Sequence, residues 1–125
     1  MGFAYVVTLD CQDPERLAFF WAEALRYRSN PYHAPYLTLS DPLGRSPELV
    51  LQKVPEPKRG KNRMHLDLFV SEIETEVSRM ERLGARRLSA EPLTGPTGDR
   101  WIVMADPDGN EFCVCAGDIT TLETP

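Results

Sequence analysis

The residues of this chain best suited to chemistry lie in two short runs, His65-Leu66-Asp67-Leu68-Phe69 and Glu111-Phe112-Cys113-Val114-Cys115. In both, polar or reactive side chains alternate with apolar ones, and a strand sends successive side chains to opposite faces. His65, Asp67 and Phe69 therefore share one side of their strand, and Glu111, Cys113 and Cys115 share one side of theirs. An imidazole beside carboxylates can move a proton, or can hold a hydrogen-bonded pocket in which one tautomer is fixed; a bond from His65 to Glu111 across adjacent strands is the simplest form of the latter. Asp67 reads as solvated, as the partner of an arginine, or as a base. Thiolate chemistry needs an electropositive setting that these neighbours do not supply, so Cys113 and Cys115 read as small pocket-lining residues.

The elements that position these residues come in two copies. Trp101 to Cys115, WIVMADPDGNEFCVC, reads as two strands joined by a tight Asp-Pro-Asp-Gly turn, and Tyr36 to Ser46, YLTLSDPLGRS, is an earlier version of it. Aligning the turns sets Tyr36 on Trp101, Leu37 on Ile102, Leu39 on Met104 and Asp41 on Asp106. A turn signal flanked by matching alternating strands points to one supersecondary unit used twice. The elements before each turn also match. Tyr5–Cys11 reads as a strand, followed by Asp13-Pro14 as a helix start and by Leu17, Phe20, Trp21, Ala24 and Leu25 along one helical face. Met64–Val70 is the second such strand. Ser71 with Glu74 has the spacing of a capping box, and Ile73, Val77 and Met80 form a stripe that stops at Gly84. Residues 27–32, 36–40 and 48–54 complete the first series of strands; residues 85–91, 100–105 and 110–115 complete the second. The long, glycine-bearing stretch 92–99, PLTGPTGD, reads as a surface connection, with a mobile lid as the other reading.

The expectation is one α+β domain over 1–125, with module 1 at about 3–54, a charged, proline-bearing linker at 55–63 and module 2 at about 64–117. Met64, Leu66, Leu68 and Val70 should face a helix, as should Leu37, Leu39, Leu49, Leu51, Phe112 and Val114. The other face then carries Tyr36, Thr38, Ser40, Glu48, Val50 and Gln52 in module 1. With Trp101 and Phe69 added from module 2, it suits a covered cleft that orients a small molecule better than a bare wet surface.

A net charge of −5 argues against nucleic acid and anionic membranes, whose binding needs clustered Lys and Arg. Lys58 to Arg63 is a short basic run that reads as solvated linker. Three cysteines, an odd number in a chain with ample apolar residues, imply free thiols and a reducing compartment. No signal peptide and no membrane-crossing segment is legible, so a cytoplasmic location is expected.

The segments LDCQDPERLAFFWAEAL, VPEPKRGKNRMHLDLFV and WIVMADPDGNEFCV, which together run across nearly the whole chain, resemble the vicinal oxygen chelate superfamily and its small glyoxalase-like and bleomycin-resistance-like proteins. The resemblance implies paired βαβββ modules whose curved mixed sheets form a cup, and frequent homodimers. In metal-dependent members the cation is held by side chains on the first and last strand of each module. Here that implies His65 and Glu111 as ligands or acid–base groups. In the first module Val6 stands where a ligand would be; the turn alignment sets Ser46 opposite Glu111, a two-residue insertion would place the Glu48 carboxylate there, and Gln52 is another candidate on the same face. Zinc, nickel, manganese or iron would suit such a set, and a metal-free site is the other reading. The implied functions are metal-assisted lyase, isomerase or dioxygenase-related chemistry on a small molecule bound by Trp101, Phe69, Tyr36, Asp67 and Gln52; metal-free binding of a drug or antibiotic; or a dimeric interaction module.

Overall fold

The computed structural model describes residues 4–95, 98 and 100–117. The chain divides into two compact units on either side of Arg59 and Gly60, each a helix on a curved mixed sheet.

In the first unit, β1 (Val7–Cys11) leads into α1 (Pro14–Leu25), followed by β2 (Arg28–Ser29), β3 (Tyr36–Ser40) and β4 (Leu49–Lys53). Proline at the first helical position costs no hydrogen bond, and the Asp13 carboxylate accepts the Arg16 N–H at 3.2 Å. Leu17, Phe20, Trp21 and Ala24 are buried, the two rings meeting edge to face at 5.0 Å. The helix stops at Arg26, whose φ of 56° breaks the helical path. The sheet order is β1-β4-β3-β2, with β1 parallel to β4 and the other pairs antiparallel. Of the strand expected at 27–32 only Arg28 and Ser29 form the β2 ladder: the Asn30 N–H still donates to the Thr38 carbonyl, its side chain binds the same carbonyl and the Ser40 hydroxyl, and Pro31 has no N–H with which to continue.

The second unit repeats the plan. β5 (Leu66–Val70) leads into α2 (Ile73–Arg82), then β6 (Arg86–Arg87), β7 (Leu93–Thr94), β8 (Arg100–Ala105) and β9 (Glu111–Ala116). β5 is parallel to β9, β9 antiparallel to β8, and β8 also pairs with β6 and β7. Ile73, Val77 and Met80 of α2 are buried, as are Ile102, Met104, Phe112 and Val114 of the sheet.

Four local expectations change. The capping box at Ser71 does not form, because Glu72 is the N-cap and the Glu74 carboxylate is held by Arg87 at 2.6 Å. Met64, expected under the helix, precedes β5 and is 82% exposed. The strand expected at 85–91 shrinks to two residues, since the Leu88 and Ser89 N–H groups both turn to the Val103 carbonyl and the Ser89 hydroxyl takes the Val103 N–H. The 92–99 connection contains β7, while Pro96, Thr97 and Asp99 lie outside the described residues.

The ladders give the correspondence between the units without reference to sequence. Val7 pairs with Leu49 and Leu66 with Phe112; Leu39 pairs with Leu49 and Met104 with Phe112; Tyr36 pairs with Gln52 and Trp101 with Cys115. Tyr36 and Trp101 are thus equivalent, as the turn alignment required. The residues just before Leu49 and Phe112, Glu48 and Glu111, are equivalent too, with the two-residue difference lying in the turn.

Candidate functional site

The second face of the β5-β9-β8 sheet forms a cleft of about 400 Å³, lined by Phe69 and Trp101 on its apolar walls and by His65, Asp67, Glu111, Cys113, Lys61 and Arg100 at its polar points. Sheet register brings these groups together. Asp67 lies directly opposite Cys113, Phe69 opposite Cys115, and Trp101 opposite Cys115 on the other side. His65 is one residue ahead of β5 and keeps the parity of Asp67.

His65 Nδ1 lies 2.8 Å from Asp67 Oδ1, both side chains being a little over a third exposed. A carboxylate only accepts, so Nδ1 carries the hydrogen and Nε2 presents the lone pair of the neutral ring. The partner given to His65 is thus the carboxylate two residues along its own strand, and Asp67 keeps part of its side chain open to solvent. Asp67 also accepts from the Cys113 thiol. Burial first, then the charge and hydrogen bond of Asp67, push that thiol up to about 11, with Lys61 pulling the other way. Cys113 is therefore a protonated thiol at neutral pH and no nucleophile. Glu111 Oε2 accepts the backbone N–H of Asn62 at 2.9 Å, so the linker residue before the strand helps to fix the carboxylate.

Of the residues singled out from sequence, His65, Asp67, Phe69, Trp101 and Glu111 are brought together in this cleft. Tyr36, Gln52 and Glu48 occupy the corresponding face of the first unit, where Tyr36 pairs with Gln52 and the Ser40 hydroxyl donates to Glu48 Oε2 at 3.0 Å. Val6, the counterpart of His65, is a half-exposed aliphatic residue with no ligand atom. Sequence reasoning missed Lys61 and Arg100. Lys61 was absorbed into the solvated linker, and Arg100, at the end of β8, gave no signal of its own.

The unit 2 residues fit a divalent cation chemically: an imidazole oriented through its other nitrogen by a carboxylate is the usual support of a metal-binding histidine, and Glu111 offers oxygen on the same face. A second grouping is also present, since ligand atoms of His65, Asp67 and Cys113 all lie within 4.8 Å of one another. Among the described residues no helix is long and apolar enough to cross a membrane.

Comparison with known proteins places this geometry. No curated protein sequence matches the chain. Among solved structures, a glyoxalase/bleomycin resistance protein/dioxygenase family enzyme from Burkholderia phytofirmans PsJN superposes with a TM-score of 0.75 at 14% identity, covering 89% of this chain and 95% of its own. A glyoxalase-related enzyme from Fulvimarina pelagi gives 0.71 at 18% identity over 94% and 89%. The fosfomycin resistance protein FosX from Mesorhizobium loti gives 0.72 at 17% identity over 99% of both chains. These likenesses are of fold. The sequence model for the glyoxalase-like domain matches residues 6–115, nearly all of both units, and the chain therefore belongs to the glyoxalase-like family.

Proposed function

We propose that the two units form one glyoxalase-like domain that binds a small organic molecule against Trp101 and Phe69 and moves a proton on it, in lyase- or isomerase-type chemistry next to a carbonyl or a pair of vicinal oxygens. The observation that carries this reading is the 2.8 Å contact between His65 Nδ1 and Asp67 Oδ1 inside an aromatic-walled cleft. With Nδ1–H committed to Asp67, Nε2 takes a proton from the substrate carbon, and the Asp67 carboxylate stabilises the imidazolium that results. Glu111, steadied by the Asn62 N–H, returns or removes the second proton. Lys61 and Arg100 bias the cleft towards a ligand with a carboxylate or another anionic oxygen. Tyr36 and Gln52 pair on the corresponding open face of the first unit.

His65 Nε2 and Glu111 are the residues of the second unit that would hold a divalent zinc, nickel, manganese or iron ion, and Glu48 is the carboxylate at the position equivalent to Glu111 in the first unit. Bound there, the ion would polarise the carbonyl oxygen; the single lone pair of Nε2 would then be spent on it, so metal assistance and the His65 base are alternatives and not one mechanism. A metal-free binding protein is the second reading, favoured by Val6 in place of a ligand; the likeness to a fosfomycin resistance protein makes antibiotics sensible members of a ligand screen. The proposal includes a homodimeric, cytoplasmic protein.

The test is a screen of oxo-aldehyde thiol adducts, catechols and antibiotics by tryptophan fluorescence, followed by deuterium exchange at the carbon next to the carbonyl of any binder. Exchange that depends on His65 is expected. Binding without exchange would select the metal-free reading, and no binding would remove both.

A further inference from the structure

We propose that His65, Asp67 and Cys113 form a binding site for a thiophilic divalent cation, zinc or cadmium, distinct from the nitrogen-and-oxygen set that the family pattern would use. The site needs only the second unit and does not rest on the function proposed above. Asp67 and Cys113 are partners across the parallel β5–β9 ladder, and His65 follows the same face two residues back. Their ligand atoms lie within 4.8 Å of one another, and small side-chain rotations bring such atoms to the roughly 3 to 4 Å that separates neighbouring ligands around zinc.

The three side chains are already joined through hydrogens, Nδ1–H and S–H both directed at Asp67. A cation takes the place of those hydrogens. As the sulfur–metal bond forms, the S–H bond of Cys113 breaks and its proton leaves to solvent. The imidazole stays neutral, its hydrogen residing on the nitrogen that does not face the ion. Thiolate and carboxylate together then balance the two positive charges, which suits a half-buried cleft. Sulfur and imidazole donors select zinc, cadmium and cobalt over magnesium and manganese, and three protein ligands leave a fourth position open to the cleft. Such an ion would occupy both members of the His65–Asp67 pair.

The experiment is titration of the full-length protein, stripped by chelator, with cobalt(II), watched in the near ultraviolet, where a thiolate bound to cobalt gives a charge-transfer band, with zinc added last as competitor. The expected result is a band at one cobalt per chain that zinc removes, that persists in Cys115→Ser and Glu111→Gln, and that disappears in Cys113→Ser. Asp67→Asn should weaken binding by about tenfold or more. Cobalt bound by the wild-type protein without a thiolate band, a band that survives Cys113→Ser, or no binding would each overturn the proposal. Where Cys113→Ser fails to fold, a wild-type protein that shows no thiolate band, or a band lost in Cys115→Ser, still overturns the proposal.

Discussion

The two turns that begin the comparison between the units are built alike and placed differently. Asp41 accepts the N–H groups of Leu43, Arg45 and Ser46, and Gly44 closes back on the Asp41 carbonyl. Asp106 accepts from Asp108 and from both nitrogens of Asn110, and Gly109 closes back in the same way. Yet Asp106 is 1% exposed, whereas the residues after Asp41 are open to solvent. The open sheet faces differ more. Where the second unit has His65, Asp67 and Cys113, the ladder equivalents in the first are Val6, Thr8 and Val50, which offer one hydroxyl between them. Ser40 holds Glu48 by its hydroxyl, but its equivalent, Ala105, has no donor, and Glu111 is held by the Asn62 backbone instead. The helix side of each sheet is under packing constraint and stays leucine-like or methionine-like, while the open side is free to specialise. Here one copy has acquired the reactive groups.

Four changes would break or sharpen that contrast. The largest effect is expected from His65→Ala, which should lower proton exchange on a bound carbonyl ligand by about 10³-fold, while Val6→Ala leaves it unchanged. Asp106→Ala, which strips a buried turn of four hydrogen bonds, should cost about 3 kcal/mol in urea denaturation, and Asp41→Ala clearly less. Equal losses would mean that burial is not what separates the turns.

The next effect concerns the thiol. Because burial and Asp67 raise its folded value to about 11, the protonated form is favoured in the native state; the stability tied to it is present below the ordinary thiol value and is lost as pH climbs towards 11. In a Cys115→Ser background, alkylation of Cys113 should stay slow near pH 9, and Asp67→Asn should speed it several-fold. Asp41 should show the smallest effect. Its carboxyl is held below the ordinary value by the Leu43 N–H, opposed by lost hydration and aided by Arg45 and Ser46. A depressed carboxyl contributes stability above its unfolded value and loses it as pH falls through the folded one. The melting curves of wild type and Asp41→Asn should therefore differ at neutral pH and converge below about pH 4.

Much of this contrast is legible in the sequence because turn chemistry and strand parity are local rules. Asp-Pro-x-Gly and the alternation around it place Tyr36 on Trp101, and the ladders agree along β3 and β8, while β4 and β9 correspond only after the two-residue difference in the turn is allowed for. What parity cannot show is where a side chain turns once it has reached its face. Alternation seats His65 beside Glu111, but the imidazole swings along its own strand to Asp67. Ser71 fails as a cap for a similar reason, its expected partner Glu74 being drawn to Arg87 of β6, a contact that exists only after the chain has folded. The short β6 follows from a doubled hydrogen bond on Val103, which no propensity signals.

The account depends most on the His65–Asp67 pair, and the tautomer of His65 can be measured without a substrate. In ¹⁵N-labelled protein carrying His33→Gln, long-range nitrogen–proton correlation spectra at alkaline pH should show the hydrogen of neutral His65 on Nδ1, and Asp67→Asn should move the population towards Nε2–H. A wild-type His65 found as the Nε2–H form, unaltered by the Asp67 change, would contradict it.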